Sequence, residues 1–240
     1  MSQLNRWLNP RSSAAQMALL FLACTVLAYA APSAVLRWVV LEPDAVLQEA
    51  ELWRPVSFLF VSSPTAFAVL FNILIIVSIG GRLEALWGRR RFWFFSVGIG
   101  AAAAVLTVLL SLLLRPLGGI PFVGDSLIPG AMWVAYGLII GARETNFWGL
   151  PITGYTFALI GVGLTLLNGL FSSWLLVVPE LLALTLTGLY VQFGFPLMLV
   201  HQLRAWLFVR GYKRRSRKLR AIDGGGQPRS GSKGSDEFLH

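Results

Sequence analysis

Six apolar runs, at about 14–31, 64–80, 92–114, 129–142, 152–171 and 174–201, restrict this chain to one kind of solvent. A helix crossing a bilayer needs about 20 apolar residues, each adding about 1.5 Å. Of the 240 residues, 56% are hydrophobic and only 13% are charged, with a mean hydropathy of +0.69. A soluble domain carries roughly 25% charged residues. Too little polar side chain remains to cover a globule in water, so the solvent has to be lipid. The predicted fold class is an all-α integral membrane bundle of six transmembrane helices with an interfacial first loop. The predicted organisation is an amino-terminal segment 1–13, a membrane domain 14–210 and a tail 211–240. The first run lacks a small-x-small exit and is expected to stay as a span rather than be removed as a leader.

Charge sets the threading. With the amino terminus inside, 17 of the 20 Lys and Arg residues fall on the inner side, and only Arg37, Arg54 and Arg115 fall outside. Basic residues favour the cytoplasmic side of a membrane, so both termini are expected there. The composition reads as that of a bacterial inner-membrane protein. The tail holds the densest cluster, Lys213, Arg214, Arg215, Arg217, Lys218 and Arg220, directly after an apolar run. Such a cluster suits anionic lipid headgroups. No aromatic residue interleaves it, so nucleic acid is not an expected partner. Beyond Ala221 the Gly- and Ser-rich sequence predicts disorder.

The first outer loop, 32–63, is apolar enough to lie in the interface, with Trp38 and Trp53 at headgroup depth. Its carboxylates, Asp44, Glu49 and Glu51, have no histidine or calcium-loop pattern and read as a solvated acidic face, so no metal is expected. The lone cysteine, Cys24, reads as a small hydrophobe within a helix. No cofactor is implied.

Several short motifs recur in a telling order: Leu52-Trp53-Arg54, Leu70-Phe71-Asn72, Gly81-Arg82-Leu83-Glu84-Ala85-Leu86-Trp87-Gly88, and Pro129-Gly130-Ala131 with Gly137 beyond. In this order and spacing the stretch from Leu36 to Phe195 resembles the rhomboid superfamily, and among its inactive members the derlin-like and other pseudoproteases. The resemblance implies a compact six-helix bundle with a short fourth helix at its centre. It aligns Asn72 with an oxyanion-hole asparagine, Pro129 with the serine nucleophile, and Thr185 or a neighbour with the histidine base. Trp53, Arg54, Asn72, Pro129, Gly130 and Trp133 are thereby the candidate residues of a groove for client helices or lipid. Glu84, Trp87, Gly88, Gly137 and Gly188 are candidate structural positions, with Glu84 expected to pair with Arg82 or with Arg89–Arg91.

Read as chemistry, the same residues argue against proteolysis. The only histidines are His201 and His240. Thr185 lies 16 residues before His201, or about 24 Å along a helix. Ser126 is the one plausible replacement nucleophile, yet no histidine is expected on its side of the membrane, and no lysine precedes Lys213. Asn72 is expected to make an interhelical bond. Glu180 is the one acidic candidate for a transport role, against the simpler reading of a carboxylate at a helix start. The resemblance without its catalytic pair implies a protein that binds the transmembrane segments of other proteins, beside the second and fifth helices, without cutting them. A structural subunit of a larger complex and a divergent active protease are the alternatives.

Overall fold

The computed structural model describes residues 12–31, 33–147 and 149–194. The chain divides into Met1–Gly194 and Phe195–His240. The tail cluster from Lys213 to Arg220, together with His201 and His240, lies outside the described residues.

Among the described residues, four helices are long and apolar enough to cross a membrane: α1 (Ser13–Ala30), α2 (Ala66–Trp87), α3 (Arg89–Ser111) and α5 (Gly154–Phe171). Two shorter apolar helices accompany them, α4 (Leu127–Ile140) and α6 (Val178–Phe193). At 14 and 16 residues, α4 and α6 reach only about 21 and 24 Å, less than the roughly 30 Å hydrocarbon layer. Six spans with a short fourth were expected; the described residues hold four long apolar helices and two short ones, the sixth being short as well as the fourth. Leu19 and Leu27 of α1, Leu109 of α3, and Leu159 and Leu170 of α5 are exposed. An outer surface of leucine is what lipid requires, because backbone groups are already satisfied within each helix.

The interior is aromatic and small. Helix α4 is buried over nearly its whole length. Trp133 stacks on Phe157 of α5, with centroids 4.6 Å apart, and its indole N–H donates to the Phe157 carbonyl at 2.7 Å. A buried indole needs such a partner. Helices α4 and α5 approach closely at Gly137, where a Cβ would stand 2.6 Å from the Gly154 carbonyl oxygen. At Gly188, by contrast, a Cβ would meet nothing within 4 Å, so no close approach requires glycine there.

One end of the bundle is tied by polar side chains. Glu84 does not take the arginine partners expected of it. Its carboxylate accepts from the Ser12 hydroxyl at 3.0 Å, the Ser13 N–H at 2.8 Å and the Ala14 N–H at 3.1 Å. It therefore satisfies the orphan donors at the start of α1, where negative charge also suits the helix dipole. The arginines bind elsewhere: Arg82 donates to Tyr136, Arg91 to Tyr190 and Arg89 to Gln16. Trp87 packs edge-on against Phe95 and Tyr190, with Arg91 over its ring. Gly88 turns the chain from α2 into α3 at φ +79°, a backbone conformation that suits glycine.

The second helix departs from expectation. The second apolar run was expected to end near residue 80, but the helix continues over 81–87 through a π-helical stretch at Ile76–Gly80. The added residue per turn rotates the lower half of α2 relative to the upper half. Beyond α4, an antiparallel hairpin forms from β1 (Glu144–Phe147) and β2 (Leu150–Thr153), with Glu144 opposite Thr153.

The first loop is folded rather than draped. Short helices at Ser33–Val39, Pro43–Gln48 and Arg54–Ser57 lead into a 3-10 turn at Phe58–Phe60. Leu41, Val46, Phe58 and Leu59 are buried in the core, and Leu41 exchanges backbone hydrogen bonds with Phe122 in the loop before α4. Glu51, expected to be solvated, is 5% exposed, and Arg54 is 4% exposed. The two form an ion pair, and Arg54 also donates to the carbonyls of Arg37 at 2.7 Å and Val40 at 2.8 Å.

Candidate functional site

A cavity of about 250 Å³ lies between α2 and α5. Phe67, Phe71 and Asn72 wall it from α2, Leu164, Thr165 and Asn168 from α5, and Pro129, Gly130 and Trp133 of α4 form its floor. The rim residues Phe67 and Leu164 are exposed, Phe67 at 79%, so the cavity opens on the apolar side of the bundle. Its walls are mostly apolar, and its polar groups collect at one end. That end is reached by the segment Gly124-Asp125-Ser126 before α4 and by the first turn of α6.

The polar end is built from residues far apart in the chain. Asn72 donates its amide to the Asp125 carbonyl and carboxylate, both at 2.9 Å. Asp125 also accepts from Ser63 at 2.7 Å and from Ser62. Ser126 donates its hydroxyl to one carboxylate oxygen of Glu180, and the other oxygen, Oε2, is buried without a hydrogen-bond partner. Two carboxylates therefore face this end, and among the described residues no Lys, Arg or His lines the cavity.

Of the six groove candidates, Asn72, Pro129, Gly130 and Trp133 all line this cavity. Trp53 and Arg54 do not. Arg54 is consumed inside the first loop, and Trp53 stacks on Trp38 at 5.9 Å and donates to its carbonyl. Arg54 instead borders a separate polar hollow of about 760 Å³ with Arg37, Glu42, Asp44 and Glu49. The hydroxyl of Thr185 donates to the Leu181 carbonyl on its own helix and is exposed. It does not point at α4; Leu184 stands nearest to Gly130.

Sequence reasoning kept Ser126 and Glu180 apart, and the structure corrects this. A serine does stand in bonding reach of a proton acceptor here, because α6 begins at the same level as α4. The available signals were a Gly-Asp-Ser turn before an apolar helix and a lone carboxylate in an apolar segment. Neither says that the two meet.

Residues 11–229 match the family described as "Eukaryotic integral membrane protein (DUF1751)". No curated protein matches the chain. A eukaryotic family overturns the expected bacterial inner-membrane setting. Hydropathy and basic-residue placement report that a chain sits in lipid, and they do not distinguish bacterial from eukaryotic bilayers. With the match running along nearly all of its length, this chain belongs to the DUF1751 family of eukaryotic integral membrane proteins.

Proposed function

We propose that the chain is a rhomboid-like pseudoprotease, a six-pass bundle that holds transmembrane segments of other proteins against its flank without cleaving them. The observation that carries this reading is the lateral cavity between α2 and α5, apolar along its walls and polar at one end. A passing helix can bury its side chains there and still satisfy a polar group, which lipid cannot do. The short α4 and α6 support the same reading, because a thin stretch of bundle compresses nearby lipid and eases entry of partly polar helices.

The chemistry favours holding over cutting. Pro129, at the position the resemblance assigns to the nucleophile, has neither a hydroxyl nor a backbone N–H to offer an oxyanion. Asn72 has its amide committed to Asp125. A serine hydrolase also needs a base that shuttles the proton to the leaving group, and the described residues contain no histidine. One observation supports a hydrolase as the second reading, namely the hydrogen bond from Ser126 to Glu180. A fluorophosphonate probe separates the two. The holding reading expects no label, and label on Ser126 that is lost in Ser126→Ala would establish the hydrolase.

Affinity purification from native membranes in mild detergent tests the proposal itself. A client-holding protein recovers several membrane proteins, each below one copy per chain. A single partner recovered at one-to-one stoichiometry would show a fixed subunit of a complex instead.

A further inference from the structure

The polar end of the cavity is unbalanced in charge, and that imbalance says what kind of segment fits. Asp125 has three side-chain donors around it, from Ser62, Ser63 and Asn72. Glu180 has one, from Ser126, which leaves Oε2 buried and unpartnered. A buried acceptor without a donor costs free energy unless something supplies one. Among the described residues the lining holds no cation of its own. Neither arginine of the first loop lines the cavity: the Arg54 guanidinium is shared between Glu51 and two carbonyls, and Arg37 borders the separate polar hollow.

Resting on the client-holding reading, we infer that the cavity selects transmembrane segments bearing a basic side chain, lysine or arginine, in the part that lies level with Glu180. The segment lies between Phe67 of α2 and Leu164 of α5, and its ammonium or guanidinium group donates to Glu180 Oε2. The placement is physically economical. Asn72, in the second turn of α2, and Glu180, in the first turn of α6, put the carboxylates near one end of the bundle. A long basic side chain can run its methylenes along the aromatic wall and place its charge at that end. A charge that finds no partner in lipid thereby gains a charge-assisted hydrogen bond, the stronger class. An acidic residue at the same height would meet two carboxylates and be repelled.

The test uses the full-length chain in nanodiscs and three labelled single-span polyleucine peptides, identical except for lysine, leucine or glutamate at the level of Glu180. Binding is read by energy transfer. The lysine peptide is expected to bind about tenfold more tightly than the leucine peptide, the fold-change of one net charge-assisted hydrogen bond, with the glutamate peptide weakest. Glu180→Gln is expected to erase the lysine preference, bringing the lysine and leucine peptides to equal affinity. The ranking of the three peptides on the unaltered protein does not depend on that variant folding. Equal binding of lysine and leucine peptides, or a lysine preference that survives Glu180→Gln, would overturn the inference while leaving lateral holding intact. Failure of all three peptides to bind would overturn the client-holding reading itself.

Discussion

Replacing Arg54 by alanine is expected to destabilise the protein by about 3–5 kcal/mol, the cost of stranding one member of a buried ion pair. In thermal unfolding followed by tryptophan fluorescence, that corresponds to a fall in Tm of about 6–20 °C for a chain of this size. The size of the effect follows from burial. Both Arg54 and Glu51 are shielded, and the guanidinium also closes two carbonyls of the first loop. Removing it leaves the Glu51 carboxylate buried and the Arg37 and Val40 carbonyls short of a donor. The double variant Glu51→Leu/Arg54→Met is expected to recover most of the loss, because matched apolar groups leave nothing unsatisfied. Trp53→Ala should cost far less, since the ring is about half exposed and loses mainly its stack on Trp38. An Arg54→Ala protein that melts with the parent would place the guanidinium outside the loop, facing lipid or a partner.

Gly137→Leu is expected to separate α4 from α5 and to destabilise the bundle by about 3 kcal/mol or more, at the upper end of overpacking effects. A Cβ at this position would stand 2.6 Å from the Gly154 carbonyl oxygen and 2.7 Å from the Ala158 backbone nitrogen. Those atoms are backbone and cannot rotate away, so the helices themselves must move. In lipid the association of helices depends on such close packing. Because Trp133 and Phe157 bridge the same two helices beside the cavity floor, separation also deforms the proposed client site. Gly188→Leu supplies the contrast. With nothing within 4 Å of its Cβ position, its cost should stay within the roughly 0.5 kcal/mol of an ordinary surface substitution. Equal melting of the two variants would mean that α4 and α5 are not in contact through glycine.

The legible and illegible parts of this molecule divide along a physical line. Hydropathy locates the apolar helices because each is a local property of about 20 consecutive residues. Gly137 could be read as a packing position because small residues in apolar helices have few other uses. The π-helical stretch at Ile76–Gly80 could not, since one extra residue in a helical turn leaves hydropathy unchanged. The hairpin at 144–153 is short, and its Asn146–Gly149 turn is a weak signal between two strong ones. The first loop was misjudged where charge was equated with solvent: Glu51 is buried because Arg54, three residues on, neutralises it. Of the candidate site, Asn72, Pro129, Gly130 and Trp133 were found through resemblance. Glu180 was recognised as unusual yet was not joined to Ser126, 54 residues earlier. Only the packing of α6 beside the start of α4 brings those side chains together, and no local pattern encodes that meeting.

On the proposed function, other membrane proteins enter between α2 and α5. A photoreactive phenylalanine analogue placed at Leu164, on the cavity rim, and separately at Leu109, on the lipid-facing side of α3, tests it in native membranes. Both positions are about half exposed and apolar, so non-specific contact with neighbouring proteins should be similar. Discrete protein adducts are expected from Leu164 and only background from Leu109. Matching adduct patterns from the two positions would rule out entry between α2 and α5.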